Sequence, residues 1–252
     1  MVQSPHEQTN VEKPPGRFLN PLPTMRPRGL TSDSDSFRSI NLDAEMQLPV
    51  ASHCGAFAVR RSKHTHEGVD LYAPHGSPVA AVEAGTVVRV VDFTGPKAGS
   101  PWWLDTQALM VASDAHVVNY GEIAVRNGLE PGARVAAGEI IGTISTVLAV
   151  DKGRPRAMLH FEMYAAGYDG PPVEWDPPDA PRPAPLLDPT PYLRPLFADD
   201  DASLGPGHGD VGVSASPARA AGTSAPGPEA SRAPRQSSAR LVDELVMTRH
   251  DG

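Results

Sequence analysis

The sequence contains one cysteine, Cys54, so no internal disulfide can form. It has no run of about 18 apolar residues, which removes a membrane-spanning helix from the reading. Basic residues are in the minority: 22 Lys and Arg stand against 30 Asp and Glu, for a formal net charge of −8. That balance argues against a nucleic-acid binder, which needs a basic face. Met1 to Leu30 is polar and proline-rich, with no apolar core of the kind a secretory signal peptide carries. The chain is therefore expected to stay in the cytoplasm or to leave by a leaderless route.

Proline is abundant but unevenly spread. Of 28 prolines, 6 fall in residues 1–42, 7 in 43–170 and 15 in 171–252. The middle segment is the one expected to pack, and about 130 residues can bury a sound core. The expected organisation is a disordered N-terminal arm over 1–42, a folded domain over 43–197, and a low-complexity tail over 198–252. Within the tail, Ser237 to His250 has the spacing of a short amphipathic helix. Leu186 to Leu193 holds enough apolar residues to dock back on the domain.

The middle segment has no long stretch of period 3.6. Short strand-like runs recur between glycine turns instead. Gly85 to Val91 is strongly β-branched. Ala108 to Ala112 and Val117 to Ile123 flank a tight turn and read as a hairpin. Val135 to Ile144 reads as two strands joined at Gly138, and Ala157 to Tyr164 as the last clear strand. The expected fold is all-β, a compact antiparallel sheet or barrel-like domain with a central groove.

Two stretches carry candidate chemistry. His66-Glu67-Gly68-Val69-Asp70 offers an imidazole and a carboxylate around a glycine. In an extended strand the two side chains would stand ~13 Å apart, too far to share an ion. The backbone must bend, and Gly68 is the residue type that permits a bulge or kink. Read alone, the stretch is better explained by a glycine turn with a surface histidine and a capping aspartate. Downstream, alternation puts Met158, His160 and Glu162 on one strand face and Leu159, Phe161 and Met163 on the other. Two histidines and an aspartate form a common zinc set with a fourth position open.

Several segments, in order, resemble the lysostaphin/LytM-type zinc endopeptidases. These are His66-Glu67-Gly68-Val69-Asp70-Leu71, Gly85-Thr86-Val87, Asn119-Tyr120-Gly121-Glu122-Ile123, Gly132 to Gly142, and Leu159-His160-Phe161-Glu162. The likeness runs from about Leu48 to Tyr164, and Asp188 to Leu193 is similar to the usual closing segment. The resemblance implies a small β domain with a groove, zinc held by His66, Asp70 and His160, and peptidoglycan cross-bridge peptides as substrate. It also exposes two departures. The family pattern has His-x-His where this chain has Met158-Leu159-His160, and a second histidine where it has Glu122. The three implied ligands are present, while both positions of catalytic histidines are changed.

The expected activity is zinc-dependent hydrolysis of cell-wall peptides, with Glu122 as general base for the water that zinc activates. The alternative is an inactive module that keeps zinc and groove and binds peptidoglycan or a partner. Met158 has no proton to give and is expected to wall the site. Tyr120 shares the face of Glu122 by alternation and is expected to contact substrate. Trp102 and Trp103, on a Gly/Pro loop, either wall the groove or clamp the sheet edge. His64 lies ~7 Å from His66 along the strand and suits a supporting or substrate-contacting role. Arg60, Arg61 and Lys63 read as solvated charges. A third class, a biotinyl- or lipoyl-type carrier, is suggested by the Gly132 to Gly138 spacing, but no lysine lies between Lys97 and Lys152 to carry the cofactor.

Overall fold

The computed structural model describes residues 18–34, 40–151 and 154–198. Eleven strands form among them: β1 (Arg26–Thr31), β2 (Glu45–Pro49), β3 (Val69–Tyr72), β4 (Pro78–Ala80), β5 (Gly85–Thr94), β6 (Thr106–Ala112), β7 (His116–Val125), β8 (Arg134–Val135), β9 (Ile140–Ile144), β10 (Met158–Ala165) and β11 (Leu186–Leu187). One helical turn, α1 (Thr190–Leu193), follows. The main sheet has nine strands with the path β11-β10-β7-β6-β5-β8; β3 pairs with β10, and β9 joins β7 to β4. Every pairing in it is antiparallel. The sheet stays open, so the all-β expectation holds and the barrel-like one does not.

The hairpin of β6 and β7 turns where the hydroxyl of Ser113 accepts the amides of Ala115 at 3.2 Å and His116 at 3.1 Å. A short polar side chain that captures the backbone two and three residues on is what makes serine a turn residue. β10 lies between β7 on one side and β3 with β11 on the other. Its Leu159, Phe161 and Met163 are fully buried and join Leu71, Val118, Tyr120 and Ile123 in the main core. The opposite face carries Met158, His160 and Glu162, as the period of two requires.

The N-terminal expectation needs correction over 18–34. Phe18, Leu22 and Met25 are at most 3 % exposed and belong to the core. Phe18 stacks on Tyr192 at 5.4 Å and meets Phe161 edge-on at 6.2 Å. Leu19 N–H donates to Val82 O, and Ala80 N–H to Pro21 O, both at 2.9 Å. β1 then pairs in parallel with β2. Composition misled because three well-spaced apolar residues suffice to anchor a short segment, and prolines fit its turns. The C-terminal docking is observed: Leu186 and Leu193 are fully buried, and β11 pairs with Met163 and Tyr164. The tail beyond 198, including the expected helix over Ser237–His250, lies outside the described residues.

Candidate metal centre

The register across three strands sets the site. Asp70 on β3 is the direct partner of His160 on β10, whose partner on β7 is Gly121. His66 arrives from the irregular segment before β3, tied by His66 N–H to Val59 O and Ala58 N–H to His66 O, both at 2.9 Å. The chain bends between His66 and Asp70, so their side chains meet instead of standing far apart. Gly68 serves this by close approach, not by a left-handed backbone: an added Cβ would lie 2.6 Å from Phe161 O and 3.0 Å from His160 Nε2.

Three donor atoms converge. His66 Nε2 is 3.1 Å from Asp70 Oδ1, His160 Nδ1 is 2.9 Å from the same oxygen, and the two ring nitrogens are 3.2 Å apart. A tetrahedral zinc with bonds of ~2.0–2.1 Å holds its ligand atoms ~3.3 Å apart, so this near-equilateral triangle fits one such ion with little adjustment. Each ring is turned by a hydrogen bond from its other nitrogen. His66 Nδ1–H donates to Ala56 O at 2.8 Å, and His160 Nε2–H donates to Glu162 Oε1 at 2.8 Å. These bonds leave His66 Nε2 and His160 Nδ1 facing the centre, which is how outer partners fix a metal-binding imidazole.

The supports are themselves held. Glu162 is 1 % exposed, and its second oxygen accepts Asn119 Nδ2–H at 3.0 Å and the Tyr164 hydroxyl. The second oxygen of Asp70 accepts Arg61 Nη2–H at 3.0 Å, and the same guanidinium reaches Cys54 O at 2.8 Å. Arg61 is therefore not the solvated charge expected. Its partner lies nine residues ahead, beyond a turn that local spacing does not reveal.

Burial and the Arg61 cation push His66 down to about 4, so the ring is neutral near pH 7. Burial also opposes charge on His160, but its bonds to Asp70 and Glu162 outweigh this and hold it up to about 10. Burial likewise opposes the Asp70 charge, yet His66, His160 and Arg61 keep its carboxyl well below the usual range. The metal-free triangle thus holds one proton on His160 between two lone-pair donors. A divalent cation would replace that proton.

The remaining sequence candidates divide. Met158 on β10 is 9 % exposed, two residues before His160, and is the register partner of Tyr72. Glu122 is buried and adopts a left-handed φ of 64° in β7. There the pairing with β6 slips, because Gly121 and Glu122 together face one residue, Ala108. Such a bulge resets the alternation. Tyr120 and Ile123 both lie in the main core, which leaves Glu122 off the core face. Tyr120 is correspondingly no substrate contact: it is fully buried, packs edge-on against Phe161 at 5.6 Å, and its hydroxyl accepts Val82 N–H at 2.8 Å. Trp102 and Trp103 are half-buried on the loop between β5 and β6, their rings 6.4 Å apart. His64 is half-buried in the small turn closed by the Arg60–Thr65 bridge.

Residues not singled out in the sequence complete the surroundings. Phe93 packs its ring 5.6 Å from that of His160 and occupies the space a side chain at Gly121 would need. It also lines a cleft of about 270 Å³ between Ala98–Ser100 on one side and Pro171, Pro172 and Glu174 on the other.

Residues 64–173 match the family described as peptidase family M23. No curated relative matches the chain. The catalytic domain of the antimicrobial peptidase lysostaphin from Staphylococcus simulans is 21% identical over 56% of this chain and 87% of that one, with a TM-score of 0.37. A catalytic domain of the prophage-encoded M23 protein EnpA from Enterococcus faecalis is 22% identical over 50% and 86%, with a TM-score of 0.35. A zinc-containing peptidase from Vibrio cholerae is 21% identical over 44% of this chain and 29% of its own, with a TM-score of 0.31.

Proposed function

We propose, from the match of residues 64–173 to peptidase family M23, that this chain is a zinc-dependent endopeptidase of cell-wall peptides. The observation that carries the reading is the triangle of His66 Nε2, Asp70 Oδ1 and His160 Nδ1, with sides of 2.9 to 3.2 Å. Zinc, when bound, supplies a Lewis acid that polarises a carbonyl and acidifies water. The chain's own residues do the rest. Ala56 O and Glu162 orient the two rings, and Arg61 holds Asp70 with one oxygen inward. The cleft beside Phe93 receives the peptide, walled by the loop at Ala98–Ser100 and by Pro171 and Pro172.

Glu122 is the proposed general base. It directly follows Gly121, the cross-strand partner of His160, and the bulge turns it off the core face. A carboxylate can take the proton of an attacking water as an imidazole does. The test is Glu122→Gln assayed on purified peptidoglycan, with zinc content measured alongside. The expected result is loss of peptide release with one zinc retained. Undiminished release by the variant would reject the role.

The second reading is a module that binds cell-wall peptides without cutting them. It is favoured by Met158, which brings a thioether with no proton to donate where the family pattern has a histidine. Sedimentation with intact peptidoglycan, paired with mass spectrometry of the supernatant, separates the two. Binding without released peptide supports the module; release of new termini excludes it.

A further inference from the structure

The backbone of the segment 173–178 is bonded to both histidine-bearing segments. Val173 N–H donates to the Tyr164 hydroxyl at 3.1 Å, and that hydroxyl donates to Glu162, which accepts from His160. Trp175 N–H donates to Glu67 Oε1 at 3.0 Å, while Thr65 N–H donates to Trp175 O at 2.8 Å. The Thr65 hydroxyl reaches Pro178 O at 2.9 Å. Thr65 and Glu67 are the two immediate neighbours of His66, and both are buried.

The segment is also packed in place. Val173 and Trp175 rest on a small apolar cluster of Met110, Val117, Tyr164 and Leu186, separate from the main core. The Trp175 ring lies 5.9 Å from Phe57, and its indole N–H donates to Ala180 O at 2.8 Å. Residues 174–178 fall beyond the stretch 64–173 that matches the peptidase family. Trp175 and Pro178 therefore lie in a part of the chain that the family match does not cover, while Val173 is the last residue of that match.

We infer that residues 171–178 form a strap that positions the metal centre, with Tyr164 and Glu67 as the positioning residues through which it acts. One arm reaches His160 through Tyr164 and Glu162. The other grips the backbone on both sides of His66 through Trp175. Neither arm touches the donor atoms of the triangle: one supports the Glu162 carboxylate that turns the His160 ring, and the other holds the residues on both sides of His66. Outer partners of this kind typically contribute 10- to 100-fold to metal affinity. Because Pro171, Pro172 and Glu174 also line the cleft beside Phe93, the strap links the cleft wall to both metal-binding rings. The inference rests on the metal reading proposed above.

Coupling of this kind is reciprocal. If the strap tightens the metal, the metal must tighten the strap by the same factor. The first test uses the full wild-type chain, with amide hydrogen exchange measured with and without one equivalent of zinc. The Val173 and Trp175 amides are expected to slow about 10-fold or more on loading. The amide of Gly132, bonded to Val87 O at the far edge of the sheet, is expected to change little. Equal exchange with and without zinc, or equal slowing at all three, would overturn the strap.

The second test measures zinc affinity by chelator competition and records the absorption of the Co(II)-substituted protein. Tyr164→Phe and Glu67→Ala are each expected to weaken affinity at least 10-fold and to shift the Co(II) bands. Glu67→Gln keeps an acceptor for Trp175 N–H and is expected to stay near wild type. Wild-type affinity and spectrum in both Tyr164→Phe and Glu67→Ala would overturn the inference while leaving the metal centre standing. A wild-type chain that takes up no zinc would overturn both.

Discussion

Asp70 and His160 face each other across β3 and β10, with the carboxylate Oδ1 2.9 Å from the ring Nδ1. The same carboxylate joins the site to Arg61 through its other oxygen. Asp70→Ala should remove one ligand and leave the half-buried Arg61 guanidinium bonded to Cys54 O but without its carboxylate partner. Zinc measured after gel filtration should fall from one equivalent to near none. Unfolding of the metal-free variant should come about 3–5 kcal/mol earlier than wild type, the usual cost of breaking a buried pair from one side. A variant that keeps its zinc would show that Asp70 is no ligand.

Gly68 tests the packing beneath the site. A methyl there meets Phe161 O at 2.6 Å and His160 Nε2 at 3.0 Å, and the first of these is backbone that cannot swing aside. Gly68→Ala is expected to cost about 1–3 kcal/mol, as overpacking does. Because the displaced strand is β10, zinc affinity should fall with it. Urea titration and chelator competition check the two effects together; wild-type values in both would mean the strand yields without strain.

Much of this architecture was legible because β10 obeys a strict period of two. Leu159, Phe161 and Met163 mark the core face, which leaves His160 and Glu162 together on the other. The convergence of His66 with His160 was legible only through resemblance, since no local pattern spans a sequence separation of 94. Tyr120 was misplaced for a definite reason. Alternation assumes an unbroken pleat, and the bulge at Gly121 and Glu122 inserts a step that no composition rule announces. Arg61 and the strap at Trp175 were hidden because their partners come from across turns and from a proline-rich segment that reads as a loop.

Met158 offers a gain-of-function test of the proposed activity. It stands beside His160 on the site face, where the family pattern has an imidazole. Met158→His would restore a proton donor next to the metal ligands. An added acid–base group contributes on the order of 10²–10⁴-fold when well placed, so peptide release should rise at least 10-fold if turnover is limited by that loss. Release is followed by mass spectrometry of digested peptidoglycan. No rise, with zinc retained, would mean that Met158 does not limit the chemistry.

The two histidines make opposite predictions for the metal-free protein. His66 is held down to about 4, so its contribution is full above its unfolded value near 6.5 and is lost as pH falls toward 4. His160 is held up to about 10, so its contribution is full below 6.5 and is lost as pH rises toward 10. Thermal unfolding in the presence of chelator should therefore peak near pH 6.5 and fall on both sides. Zinc uptake at pH 7–8 should release about one proton, from His160. Calorimetry in buffers of different ionisation enthalpy reads that proton directly, and no release would mean that His160 is already neutral.

Phe18 decides whether the N-terminal segment is part of the domain. It is 2 % exposed, against 45 % for its neighbour Leu19. Its ring touches Tyr192 near the C-terminal end of the domain and Phe161 on β10, one residue from His160. Phe18→Ala should open a cavity shared by both and cost about 3–5 kcal/mol. Leu19→Ala, made in parallel, should stay within about 0.5 kcal/mol, as surface changes do. Urea unfolding followed by tryptophan fluorescence distinguishes them. Equal, negligible effects from both would return residues 18–34 to the status of a loose arm and would remove one support from the strand that carries His160.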